Sequence, residues 1–92
     1  MVGGAKTKIS RLGKVLYLSK SGRLILRSKL RVKVGSAILT EDLRNIGNVT
    51  DIFGPVINPY VSIRPAVREP SKYVGQLLYV EESTANRVNQ VE

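Results

Sequence analysis

Short apolar runs separated by turn residues are the feature of this sequence that most limits its fold. Runs rich in β-branched and aliphatic residues recur along the 92-residue chain and are interrupted by Gly, Pro, Ser and Asn. Pro55, Pro59, Pro65 and Pro70 would interrupt any helix in the second half. No apolar run reaches the roughly 18–20 residues that a membrane-spanning helix needs. The sequence therefore predicts an all-β protein with six or seven short strands and no convincing helix.

The strands are predicted from alternation and from the turns between them. Residues 12–18 and 23–26 are expected to form a hairpin around the turn 19–22. Further strands are predicted at 27–34, 36–40, 44–53, 59–65 and 75–81, with a bulge or tight bend near Gly47. Each strand alone is marginal, and closure buries both the apolar rows and the strand edges. We therefore predict a small closed β-barrel.

The chain divides into one domain with two short extensions. Residues 1–10 are expected to be a flexible basic arm, 11–81 the barrel, and 82–92 a polar tail. The basic N-terminus is not followed by the apolar stretch of a secretory signal. We expect a soluble, intracellular protein that does not associate with membranes.

Catalytic chemistry has little support in the sequence. There is no Cys and no His, which excludes disulfides, zinc fingers and every His-based triad. The pairs Glu41-Asp42 and Glu81-Glu82 are adjacent, so the two carboxylates of each pair point to opposite faces of an extended chain. No metal-binding or phosphate-binding loop spacing occurs. We expect a binding protein with no enzymatic activity, metal, cofactor or small-molecule ligand.

Positive charge is concentrated in the first half of the chain. The net charge is +8, and no acidic residue precedes Glu41. If 27–34 is extended, four cations share one face, opposite Leu30, Val32 and Val34. That face is a candidate for contact with RNA phosphates, or it is the solvated face of an edge strand that discourages aggregation. Aromatic residues do not alternate with these cations, which disfavours base stacking. The four candidate phosphate contacts are Arg27, Lys29, Arg31 and Lys33.

An apolar cluster at 46–60 is the second candidate site. Around 52–57 both faces of the predicted strand are apolar, so the segment is either wholly interior or has one side reserved for a partner. Gly54 and Pro55 favour a rigid exposed corner, which presents side chains at low entropic cost. The alternative is that these residues are barrel core. The candidate partner-binding residues are Ile46, Gly47, Val49, Ile52, Phe53, Gly54, Pro55, Val56 and Tyr60.

At this cluster the sequence resembles a known family. The segments IGNVTDIFGPV (46–56) and PYVSI (59–63) are similar to the hallmark of the glycine-arginine-rich family of H/ACA ribonucleoprotein subunits, in its compact archaeal form. RLGKV (11–15), SKSG (19–22) and Gly35 also fit, so the resemblance covers about residues 11–80. The Phe-Gly-Pro corner is fairly specific, whereas PRC-type barrels share the Ile-Gly portion. The Gly/Arg-rich tails are absent, so RNA binding through such tails is not carried over.

The resemblance implies both a fold and a role. It implies a six-stranded barrel, which we expect to have Greek-key connections like those of elongation-factor and reductase-like barrels. It implies a non-catalytic subunit that docks on a dyskerin-type pseudouridine synthase and promotes pseudouridylation of ribosomal RNA, contacting guide RNA and ribosomal RNA mostly indirectly. This supports docking through 52–55 and Tyr60, and weakens the phosphate interpretation of 27–33. An archaeal member would act in the cytoplasm, whereas a eukaryotic homologue would be nucleolar.

Two alternatives remain open from the residues themselves. One is a stand-alone RNA-binding barrel of ribosomal or SH3-like type, in which the cations at 27–33 carry function. The other is a PRC-type or elongation-factor-like adaptor barrel with a protein partner outside RNA modification. Copurified RNA and protein would separate these alternatives from the H/ACA role.

Overall fold

Six antiparallel strands and one short 3₁₀ helix make up the structure, a computed structural model that describes residues 7–83. Around the sheet the strands lie in the order β1-β2-β5-β4-β3-β6, and β6 pairs with β1 to close it. This closed six-stranded all-β barrel confirms the predicted fold class. The 3₁₀ helix is Pro70–Tyr73, and the strands are β1 (Thr7–Leu18), β2 (Leu24–Arg27), β3 (Ala37–Leu39), β4 (Asn45–Phe53), β5 (Tyr60–Pro65) and β6 (Leu77–Ser83).

The connections follow a Greek key. Strands β3, β4 and β5 are joined as consecutive hairpins, and β6 returns to lie beside β3. The 12-residue β1 pairs with β6 over its first part and with β2 over its second part. Its pairing register shifts between Arg11 and Gly13 and again between Val15 and Tyr17. Such irregularities bend a strand, and β1 can therefore close the barrel.

The barrel interior is filled by aliphatic side chains from all six strands and by one tyrosine. Tyr73, in the 3₁₀ helix, packs into the same cluster. Leu24, Leu26, Ile38 and Ile63 are completely inaccessible to solvent. The buried cluster comprises Leu12, Val15, Leu24, Leu26, Ile38, Ile46, Val49, Val61, Ile63, Tyr73, Leu78 and Val80.

The segment 27–34 differs from its prediction as a strand. Strand β2 ends at Arg27, and 28–36 form an irregular crossing to β3. The reason lies in the pairing: β5 begins at Tyr60, opposite Arg27, so β2 runs out of partner residues there. The predicted alternation of side chains nevertheless holds for Leu30 and Val32, which pack against the core. It fails for Val34, which is 62% exposed.

The other predicted strands are found with bounds that differ by two residues at most, apart from an N-terminal extension of β1. Residues 7–10, predicted as part of a flexible arm, belong to β1, and 82–83 belong to β6. Residues 1–6 and 84–92 of the predicted arm and tail lie outside the described part of the chain. Between residues 7 and 83, no helix is long and apolar enough to span a membrane.

The irregularity predicted near Gly47 is present and has a steric cause. Ile38 pairs with Gly47 but Leu39 pairs with Asn45, so Ile46 is an extra residue in β4. On its other side Gly47 lies against β5, where a Cβ would overlap the Arg64 carbonyl oxygen and would come within 3.1 Å of the Pro65 Cα. A residue without a side chain is needed here because two backbones approach too closely for any other.

We therefore expect Gly47→Ala to destabilise the barrel. The added methyl meets backbone atoms that cannot move without breaking the β4–β5 pairing, which costs about 3 kcal/mol of the free energy of unfolding. Urea denaturation followed by circular dichroism measures this. Lys14→Ala, at an exposed β1 position, is the control and should change stability by less than about 0.5 kcal/mol. An unchanged denaturation midpoint for Gly47→Ala would contradict the close approach.

Candidate interaction surface

Three side chains meet at one end of the barrel because of the strand register. Arg27 on β2 pairs with Tyr60 on β5, and Tyr60 pairs on its other side with Phe53 on β4. The Phe53 and Tyr60 rings stack, with centroids 5.3 Å apart and planes inclined by 17°. The Arg27 guanidinium carbon lies 4.7 Å from the centroid of the Tyr60 ring. Together they form a cation–aromatic stack, here called the corner stack.

Arg27 also holds the loop that joins β4 to β5. Its Nε and Nη2 both donate to the Asn58 carbonyl oxygen at 3.2 Å. Next to it, the Ser28 amide donates to the Pro59 carbonyl oxygen at 3.1 Å. The loop 54–59 is thus tied to the end of β2 by three hydrogen bonds to adjacent carbonyls.

Gly54 is required where the chain leaves β4. Its φ of +91° lies in the left-handed region, and a Cβ there would come within 2.9 Å of Tyr60 Cδ2. Any other residue would combine backbone strain with a clash against the corner stack. The Phe-Gly-Pro sequence therefore makes a turn that leaves Phe53 free to stack on Tyr60.

The tip of this loop presents apolar side chains to solvent. Val56 is 95% exposed and Ile57 is 85% exposed, while Phe53 is 45% exposed. Pro55 is exposed as well. Adjacent exposed apolar side chains on an anchored loop are typical of a protein-binding surface. We call Pro55, Val56 and Ile57 the docking tip. Ile57 was not among the candidate residues, although apolar residues on both faces of 52–57 gave a signal for it.

Three residues predicted to bind a partner lie inside the barrel instead. Ile46 and Val49 belong to the buried core cluster, and Gly47 is buried against β5. They cannot contact a partner directly, because the strand needs an inward-facing apolar row to pack the core. Their contacts with the core and with β5 hold β4, the strand that ends at Phe53, in place. Ile52 is half-buried and packs against the core. For the exposed residues, partner binding stays a prediction.

The four candidate phosphate contacts do not form one group. Arg27 belongs to the corner stack through its contact with Tyr60, and it is hydrogen-bonded to Asn58 in the loop. Lys29, Arg31 and Lys33 are exposed on the irregular crossing 28–36. The apolar cluster and the basic segment, treated as separate in the sequence, therefore adjoin at Arg27.

A concavity at the β3–β4 turn, lined in part by Thr40, Asp42 and Arg44, is explained by the hydrogen bonds of the turn. The Thr40 hydroxyl donates to the Asp42 carboxylate, and this bond, helped by the Asp42 amide and by Arg44, lowers the pKa of Asp42 below its usual value. The Thr40 and Arg44 backbones are also hydrogen-bonded, with Thr40 N donating to Arg44 O at 3.0 Å. Within residues 7–83 there is no group of three or more acidic side chains placed to hold a metal ion.

Removing the Arg27 side chain should loosen the loop and leave the barrel folded. Arg27→Ala deletes two exposed hydrogen bonds and a cation–aromatic contact, costing about 1 kcal/mol of stability. The ¹⁵N order parameters of the Val56 and Ile57 amides should fall, and Arg27→Lys should not restore them because it lacks the guanidinium fork. Lys29→Ala is the matched control with no expected effect. Unchanged order parameters in Arg27→Ala would show that Arg27 does not hold the loop.

The sequence is similar to a family model and to proteins from two organisms. Residues 9–91 match the sequence model described as the Gar1/Naf1 RNA binding region. An uncharacterised protein of Methanothermobacter thermautotrophicus is 44% identical over 73 residues, which cover 75% of this chain and 79% of that protein. An uncharacterised protein of Methanocaldococcus jannaschii is 43% identical over 51 residues, covering 55% and 62% respectively. The chain belongs to the Gar1/Naf1 RNA-binding-region family.

Proposed function

We propose that this protein is a non-catalytic subunit of an archaeal H/ACA guide-RNA particle. In this role it docks on a dyskerin-type pseudouridine synthase and promotes pseudouridylation of ribosomal RNA in the cytoplasm, as part of ribosome biogenesis. Membership of an RNA-binding family supports an RNA-associated role. The two archaeal relatives support the assignment to an archaeal particle.

The observation that carries the docking part of the proposal is the anchored, exposed docking tip. Val56 and Ile57 are almost fully exposed, yet the loop beneath them is fixed by Arg27 and by the turn at Gly54. A surface that is already ordered loses little entropy on binding. A few side chains in well-packed pockets near the centre of an interface usually contribute most of the binding energy.

The absence of charge at the tip favours a protein partner for it. Residues 52–60 contain no acidic or basic side chain. Phosphate contacts come mainly from Lys, Arg and polar groups, whereas an apolar pocket on a folded protein matches this composition. The docking tip is therefore assigned to the synthase, and the adjoining cations add a field favourable to nearby RNA.

A stand-alone RNA-binding barrel is the second candidate function. Lys29, Arg31 and Lys33 are exposed beside the corner, and the matched family is an RNA-binding one. In that case the purified chain binds RNA tightly by itself, and the docking tip is dispensable for function. The two candidates differ in which surface is essential.

Replacing the tip should separate docking from folding. Val56→Ser combined with Ile57→Ser should lower affinity for the recombinant synthase by about 100-fold, since each buried apolar side chain contributes well over 1 kcal/mol. Isothermal titration calorimetry measures this. Thermal stability should stay within about 0.5 kcal/mol, because both side chains are solvent-exposed. Leu43→Ser, which also replaces an exposed apolar residue in a turn, is the control and should bind normally.

Affinity purification from the source cell tests the proposal as a whole. The tagged protein should copurify with a pseudouridine synthase and a guide RNA, and the tip variant should lose both. Recovery of a different protein without RNA would contradict the proposal and favour an adaptor barrel. Recovery of RNA alone, unaffected by the tip substitutions, would favour the second candidate.

A further inference from the structure

We propose that Lys29, Arg31 and Lys33 form a binding site for the phosphate backbone of RNA, separate from the docking tip. We call the crossing that carries them, residues 28–36, the basic ridge. The proposal deepens the function proposed above and rests on it for the setting, because it assigns direct RNA contact to a second surface of the same subunit.

The backbone of the basic ridge is held in place although it is not a strand. At its start the Ser28 amide donates to the Pro59 carbonyl oxygen at 3.1 Å, and Ser28 is buried. At its end the Gly35 amide donates to the Val49 carbonyl oxygen at 2.7 Å. Between these anchors Leu30 and Val32 pack against the barrel core. The backbone is therefore held at both ends and along its length.

This anchoring decides where the cations point. Ser28 is buried and Leu30 and Val32 are half-buried, while the alternate residues Lys29, Arg31 and Lys33 are exposed. Alternation of this kind places the three charges on the solvent side of the ridge. Three cations fixed on one ordered segment can contact successive phosphates without first ordering a loop, so less entropy is lost on binding.

Two acidic side chains lie close to one part of the ridge. Residues 27–40 contain no acidic side chain. Residues 30–37 and the β6 residues Glu81 and Glu82 line one groove. These two carboxylates oppose the field of Arg31 and Lys33. If the ridge binds phosphate, removing this opposing charge should strengthen binding, which a purely structural role for the cations does not predict.

RNA fits the ridge better than an acidic protein does. Exposed cations contact the phosphate backbone without reading bases. Because aromatic residues do not alternate with them, the ridge offers no surface for base stacking. The family to which the chain belongs is an RNA-binding one. The ridge also starts directly after Arg27, which holds the docking-tip loop. RNA bound along it would therefore pass beside whatever protein occupies the tip.

Salt-dependent binding of the purified full chain to a fluorescent oligouridylate tests the site. In the variant Lys29→Gln/Arg31→Gln/Lys33→Gln, affinity at low salt should fall at least about tenfold, and the slope of log affinity against log salt should become shallower by about 2, or roughly 0.7 for each lost phosphate contact. Glu81→Gln/Glu82→Gln should instead bind more tightly. Circular dichroism confirms that each variant is folded.

A charge-matched control distinguishes the ridge from the general positive charge of the chain. Lys14→Gln/Lys20→Gln/Arg68→Gln also removes three positive charges, but from exposed positions outside the ridge, and should keep most of the RNA affinity. Equal losses in both triple variants, or no measurable binding of oligouridylate by the unsubstituted chain at low salt, would overturn the proposal. So would a ridge variant that keeps its RNA affinity but loses binding to polyglutamate, since that outcome indicates an acidic protein partner.

Binding to the synthase separates the two proposals. The ridge triple variant should dock normally, whereas Val56→Ser/Ile57→Ser should keep its affinity for oligouridylate. Loss of oligouridylate binding only in the ridge variant supports the site even if the synthase proves not to be the partner. Normal docking by a ridge variant with undiminished oligouridylate affinity would overturn the ridge and leave the proposed function standing.

Discussion

Closure of the sheet by β1 is the constraint on which the rest of the structure depends. A chain of this size buries a limited apolar surface, and open strand edges would leave backbone groups unpaired. Strand β1 closes the sheet, which encloses the apolar core and leaves no open edge, because it is long enough to pair first with β6 and then with β2. Its two register shifts allow the bend that this requires. Closure in turn fixes which strand ends lie side by side.

The interaction surface follows from that arrangement. With β2, β5 and β4 adjacent, Arg27, Tyr60 and Phe53 become cross-strand neighbours although they are far apart in the sequence. Their stack and the two hydrogen bonds to Asn58 fix the loop 54–59. The loop that carries the apolar tip is thereby held at its base, which would lower the entropic cost of binding a partner there.

Arg27 links two surfaces of opposite character. On one side lies an uncharged tip that suits a protein pocket, and on the other lies a ridge with three exposed cations that suits phosphate. Such a division would let a small protein contact another protein and an RNA at once. The two surfaces can be tested independently because the apolar residues of the tip, Val56 and Ile57, lie outside the ridge.

The sequence by itself determined most of the strands, the turns and the closed all-β class, because alternation and turn residues act between near neighbours in the chain. It also located the corner at Phe53-Gly54-Pro55 and the irregularity at Gly47. It did not determine that Ile46 and Val49 face the core while Val56 and Ile57 face solvent, since both faces of that segment are apolar. Nor did it determine that β2 stops at Arg27, or that Arg27 joins the aromatic pair. Those outcomes depended on where β5 begins and which strands it pairs with, and contacts between distant parts of the chain are set only when the barrel closes.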